Sequence, residues 1–458
     1  MSGRDPIESP VPPEALPVSL LLLLMSIAWL TLAGAASATV CQTGPQTLSQ
    51  MPSGKSSGPL TVPVRGLRAY LTNGKVWRRV AIQIDERDAN GDYVLEHGLP
   101  FTADGGDSRF NNKDELVIDL PENFSDAQQF TDRAAAEWLK KLQRETTRRN
   151  IPAEKSLRSW RVDLSAGTKK AQVLFVTGLP VADLPDAVLF DTRLQTVHTS
   201  AYRYRFNERN PAAMGRLEIP SGTEKKDDFI TINQEGGFAI WLKPPWGFPV
   251  ISQSNKDLSG AIESWRSGPV RTIVAVGSKY SAFWSLVKAH LFSELVFYRT
   301  RFQIPSVVDI PFSPDKLLGS GSGFAYGLQL SGNVTPKVER TDDGPARVSV
   351  EHPAGLVLSA TLDRDLAQSG TLPHVWQAED QDDKAGIPGE VIRWFRKNGA
   401  TTGFFVDISH MGRGRYDFSL DLESRGKANQ DHTDFVSCES VWTPVAPTQT
   451  VGPAQKKK

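Results

Sequence analysis

Beyond residue 60 the apolar positions recur mostly every second residue, in short runs separated by turn residues, and this spacing predicts strands. Val62, Val64, Leu67, Tyr70 and Leu71 lead to Asn73-Gly74, after which Val80, Ile82 and Ile84 alternate with Arg79, Ala81 and Gln83. Two apolar runs flanking Asn-Gly are a strong hairpin signal. Residues 116–120, 159–164, 171–176, 188–191, 199–206, 229–232, 238–242, 270–276, 295–304, 326–330, 348–350, 356–362, 403–408 and 416–422 read as further strands. Residues 281–291 suit a short helix or a buried strand. One segment has a helical period: Ser125 and Gln128 form a capping box, and Phe130, Ala134, Trp138 and Leu142 follow at four-residue spacing. Lys140, Lys141, Arg144 and Arg148 favour the C-terminal end of that helix through its dipole, and Pro152 stops it.

Short strands at this spacing predict a mainly β fold, a large antiparallel β-sandwich rather than βαβ units. It is preceded by a small mixed N-terminal domain with one clear helix. The expected division is a signal peptide at 1–38, an irregular arm at 39–60, a β/α domain at 61–158, the sandwich at 159–443 and a disordered tail at 444–458.

The leader changes the picture most. A run from Leu20 through Leu32 passes into small residues ending Ala36-Ser37-Ala38, the form of a signal peptide cut after Ala38. An uncleaved anchor is the alternative, since Val18 to Ala38 is long enough to span a bilayer. Arg4 is outweighed by Asp5, Glu8 and Glu14, which fits a translation start nearer Val18 or Met25. Cleavage places the mature chain in the periplasm or outside the cell, with no transmembrane segment expected. Cys41 and Cys438 are the only cysteines, and in an oxidising compartment they are read as a disulfide, against two unrelated thiols. Lys+Arg and Asp+Glu number 52 each, with no long basic stripe, which argues against a nucleic-acid partner.

Candidate chemistry is sparse. Residues 85–92 place Asp88, Asn90 and Asp92 at alternate positions with Gly91 for the turn, the ingredients of a calcium loop without the twelfth-position Glu of an EF-hand. A second acidic patch, Asp104, Asp107, Asn111, Asn112, Asp114 and Glu115, follows. Asp, Asn and Gly also simply make turns. Trp241 and Trp246 could offer flat faces to sugar rings, Trp246 from a Pro-Gly loop, although tryptophan more often packs. Arg203 alternates with Tyr202 and Tyr204, so it could bond sugar hydroxyls or merely face water on a half-buried strand. The seven histidines show no ligand spacing, and no Cys-x-x-Cys-His, phosphate loop or Gly-x-Ser-x-Gly elbow is present.

Residues 80–94, 111–120, 159–178 and 189–206 resemble a group of exported bacterial proteins of unknown function, in which a strand ending Gln-x-Asp-Glu precedes an Asn/Asp-rich loop closing on Asp-Glu-Leu-Val. Residues 267–271 and 293–305 are similar in style to β-sandwich proteins of the mutarotase-like, polysaccharide-lyase-associated kind. The resemblance implies export, a sandwich and a carbohydrate connection. The expectation is an exported β-sandwich protein that binds or cleaves a polysaccharide, with calcium as its one candidate cofactor. The alternative is a non-enzymatic accessory or structural protein of an envelope or respiratory complex, with an envelope protein as partner.

Overall fold

The computed structural model describes residues 45–49, 62–63, 66–88, 93–98, 109–110, 115–119, 129–148, 158–166, 169–178, 184–186, 188–220, 229–243, 251–254, 258–282, 287–310, 318–330, 335–340, 346–352, 355–362, 373–377, 386–412, 414–424 and 439–445. The leader, Cys41, Cys438, Asn90, Asp92 and Trp246 lie outside them.

Among the described residues three large sheets are present, antiparallel at every pairing, so the mainly β sandwich expected from the alternation is what the chain forms. The first sheet has seven strands, starting in spatial order at Pro45, Glu115, Trp77, Arg68, Lys169, Arg158 and Glu439. One face is apolar and buried: Ala69, Val80, Ile84, Leu116, Ile118, Val162, Val173 and Phe175. Its two edge strands approach each other, so the sheet curls around that face. The hairpin at Asn73-Gly74 joins Arg68–Thr72 to Trp77–Asp85, with Gly74 at φ 85° and the Asn73 carboxamide oxygen accepting from the Lys75 and Val76 amides. Residues 45–49, read as part of an irregular arm, form an edge strand on Glu115–Asp119.

The described helix α1 spans Asp132–Arg148, and the capping-box residues Ser125 and Gln128 lie outside the described residues. Thr131 is the cap, its Oγ1 accepting from the Ala134 amide at 3.2 Å, and Phe130 precedes the helix. The buried stripe therefore shifts by one residue, to Ala135 and Leu139 flanked by Trp138 and Leu142, and Ala134 is exposed. This stripe packs on Tyr70, Leu174 and Val176 of the first sheet, with Trp138 stacked on Trp77 at 4.8 Å.

The middle and distal sheets, nine strands each, enclose the main core, in which Tyr204, Phe206, Phe297, Phe302 and Phe404 interlock. The segment 295–304, read as one strand, is instead a hairpin: Val287–Tyr298 turns at 299–300 into Arg301–Ile310. A second helix, α2 (Gly389–Lys397), lays Val391, Ile392 and Phe395 on the outer face of the distal sheet, over Trp241, Trp376 and Phe405.

The register of the middle sheet shows how the first sheet docks on it. One row across its outward face runs Ile273, Val296, Gln303, Asp421, Ser359, Ser349, Lys337. The apolar end of the row, with Tyr298, meets Tyr93 and Val117 of the first sheet and its loop. The polar end is internally bonded: Arg301 to Asp421 at 2.7 Å, Ser419 to Asp421 at 2.9 Å and Arg347 to Ser359 at 2.9 Å.

Candidate functional site

Among the described residues, the interface between the first and middle sheets gathers the buried charges Asp85, Glu115 and Arg271. Gln83 and Asp85 project from one side of the strand Trp77–Asp85, and Glu115 opposes Asp85 from the paired strand. Arg271 starts the strand Arg271–Ala282 of the middle sheet. Its Nε donates to Asp85 at 2.6 Å, its Nη2 to Glu115, and its Nη1 to the Tyr298 hydroxyl at 3.0 Å. Arg87 donates to the other Glu115 oxygen and lies 3.8 Å from the centre of the Tyr93 ring, whose hydroxyl donates to Glu115 at 2.7 Å. Burial alone would push the Glu115 carboxyl up, but Arg271 and Arg87 outweigh it and hold it at about 2. Burial also works against the charge of Arg271, but Asp85, the two tyrosines and Glu115 hold it well above its ordinary range.

Gln83 completes the joint by satisfying backbone. Its Oε1 accepts from the amides of Val270 and Arg271 at 3.2 and 3.0 Å, and its Nε2 donates to Asp85 at 2.8 Å. Gly268 is required beside it, because a β-carbon there would collide with the Gln83 carboxamide. Gly268 also bridges Val188, whose carbonyl accepts from Thr272 Oγ1 at 2.7 Å, so the chain leading into the distal sheet is tied to the same corner.

A cleft of about 220 Å³ opens on this corner. Arg68, Arg79, Ile82 and Gln83 from the first-sheet hairpin line it, with Arg266 and residues 267–269 from the middle sheet and Glu96, Leu184 and Asp186 beside them. Arg266 lies 3.6 Å from both Asp85 and Glu96, spanning the buried cluster and the cleft wall. Burial, then the neighbouring Glu96, raises the Asp186 carboxyl above its ordinary range. Along the adjoining edge, exposed His97 stacks on Trp265 at 5.5 Å, and Phe190 meets the same indole edge-on. The cleft is smaller than the roughly 300–1,000 Å³ of pockets for drug-sized ligands. It presents guanidinium donors and carboxylate acceptors together, a set that hydrogen-bonds a hydroxylated ligand from both sides.

The residues singled out from the sequence do not assemble there. Trp241 is buried under α2, edge-on to Trp394, with no face open for stacking. Arg203 is exposed on the distal sheet, opposite Glu218, while Tyr202 and Tyr204 point into the core as the two-residue period requires. Asp88 is described and buried, and its two proposed companions are not described. Among the described residues no group of three or more His, Cys, Asp or Glu side chains is placed to hold a metal ion. No described helix is long and apolar enough to cross a membrane. Arg266 and Arg271 went unrecognised because their carboxylate partners lie far off in sequence; Arg271 and Asp85 are 186 positions apart.

No family model matches the chain. No curated protein matches it either. Among solved structures, it is similar to an alpha-mannosidase from Enterococcus faecalis V583, at 8% identity and a TM-score of 0.37 over 86% of this chain and 41% of that one. A glycosyl hydrolase family 38 protein from Enterococcus faecalis gives 8% identity and a TM-score of 0.31 over 68% and 44% of the two chains. A family 92 glycosyl hydrolase gives 13% and 0.20 over 47% and 30%. The chain thus spans less than half the length of these structures, and no substrate is inferred from likeness of this degree.

Proposed function

We propose that this is an exported β-sandwich protein that binds a carbohydrate in the cleft between the first and middle sheets. One observation carries the reading: three arginines and two carboxylates line a small cleft whose floor is fixed by the Gln83–Asp85–Arg271 joint. Guanidinium donors and carboxylate acceptors facing one cleft suit a ligand dense in hydroxyls, because each hydroxyl both donates and accepts. The size of the cleft suits one end of a glycan rather than a chain running through it.

Isothermal titration against a panel of oligosaccharides tests this. Saturable binding to at least one of them, weakened by Glu96→Gln, is the expected result; failure of every saccharide to bind the folded protein overturns it. Export, a Cys41–Cys438 disulfide and calcium at Asp88, Asn90 and Asp92 belong to the same proposal. Free alkylatable thiols in freshly exported protein would remove the disulfide, and a melting temperature indifferent to chelator would remove calcium.

The second reading, an accessory role beside an envelope protein, draws on Leu189 and Leu194, exposed at 53% and 56% at the edge of the distal sheet. Two isolated leucines fall short of the few hundred Å² of contiguous apolar surface that marks a docking site.

A further inference from the structure

Resting on the carbohydrate reading, we infer that the cleft cleaves what it binds: Asp186 and Glu96 form an acid–base pair that hydrolyses the glycosidic bond of a terminal sugar. Both carboxylates line one cleft of about 220 Å³, where Arg68, Arg79 and Arg266 are the other charged groups. They reach it from separate segments, Glu96 just before the short strand His97–Gly98 and Asp186 just before Val188, which bridges Gly268. Their surroundings differ in the way that divides the two roles. Glu96 has the Arg266 guanidinium at 3.6 Å, and that positive charge favours the ionised carboxylate. Asp186 has no hydrogen bond or cationic partner among the described residues. Burial, then the negative charge of Glu96, holds its carboxyl above the ordinary range, and none of the cleft arginines reverses that. Two carboxyl groups set apart in this manner, one keeping its proton and one ionised, are what glycoside hydrolysis requires.

Depth within the cleft fits a substrate that enters end-on. Gln83 is buried, whereas Glu96 and Asp186 are exposed. A terminal sugar seated above Gln83 therefore has its glycosidic oxygen at the rim, between the two carboxyl groups, and the rest of the glycan outside. The Asp186 carboxyl gives its proton to that oxygen as the bond from it to the anomeric carbon breaks. A water molecule adds to the anomeric carbon and passes a proton to the Glu96 carboxylate. Water is the co-reactant: the glycosidic bond and one O–H bond of water break, and each product gains a hydroxyl. Return of the proton from Glu96 to Asp186 through solvent restores the pair.

The test incubates the full chain with the oligosaccharides of the binding panel and with nitrophenyl glycosides of glucose, galactose, mannose and N-acetylglucosamine in both anomers. Release of a single terminal sugar from at least one of them is the expected result. Asp186→Asn should lower kcat on that oligosaccharide by roughly 10²–10⁴-fold with KM little changed, the value of a general acid. On the dinitrophenyl glycoside of the same sugar it should lose far less, because that leaving group departs without a proton. Glu96→Gln should lose turnover of both, and added azide, which attacks without a base, should restore it on the dinitrophenyl glycoside as a glycosyl azide. Melting temperatures confirm that both variants fold. Saccharide binding with no sugar released overturns the inference and leaves the carbohydrate reading standing; neither binding nor release removes both. Equal losses on the two substrates in Asp186→Asn, or turnover equal to the parent in either variant, would also overturn it.

Discussion

Removing the Arg271 guanidinium would leave Asp85 and Glu115 as carboxylates in a place closed to water. Deleting one partner of a buried ion pair typically costs about 3–5 kcal/mol. Arg271→Ala should lose about that much in chemical denaturation, far more than the exposed Arg203→Ala, which should fall within about 0.5 kcal/mol of the parent. The same site fixes an acid response. Glu115 is held at about 2, below the roughly 4.3 of an unperturbed Glu. Because the folded value is the lower one, its contribution, on the order of 3 kcal/mol, is complete above about pH 5 and fades as pH falls toward 2. Glu115→Gln should flatten the fall in melting temperature over that range; an unchanged slope would mean that Glu115 is not the group responsible. The patches at 80–94, 111–120 and 267–271 stood out as motifs, and four of their described residues, Gln83, Asp85, Glu115 and Arg271, meet at one joint. Two members of the acidic loops, Asp85 and Glu115, are committed to arginines that no local spacing could reveal.

Elements built on local periodicity were the most legible. The Asn73-Gly74 hairpin forms because a positive φ is available where the strands reverse, and most of the alternating runs became strands. Ser125 and Gln128 lie outside the described residues, and the described helix is capped by Thr131 and lays Ala135 and Leu139 on Tyr70 and Leu174. Thr131→Ala should cost about 1 kcal/mol, measurable as a shift in denaturation midpoint. The strand at 295–304 was read through a turn because Tyr298 and Arg301 keep the alternation going on either side of it. α2 escaped notice because nine residues give too few periods to stand out. Its burial is nonetheless complete at Phe395, and Phe395→Ala should lose about 3–5 kcal/mol by the same assay.

Across the whole molecule, a two-residue period tells which side of a strand is apolar but not which sheet the strand joins. Arg158–Ala166 and Lys169–Thr177 have the same alternation as the sandwich strands that follow, yet they pair into the first sheet. The last described strand, Glu439–Pro444, follows the sandwich strands in the chain and pairs with Arg158–Ala166 at the edge of that sheet, and the Val445 amide donates to the Ser159 carbonyl at 3.0 Å. Nothing in the periodicity of either segment names the other. A consequence follows for biosynthesis. The sheet laid down first is finished last: while the ribosome is still translating the sandwich, the ladder of Arg158–Ala166 waits with an open side. An open ladder is a template for pairing with neighbouring chains. A chain cut short before Glu439 would keep that template exposed, and light scattering during refolding should show it clumping where the full chain stays clear.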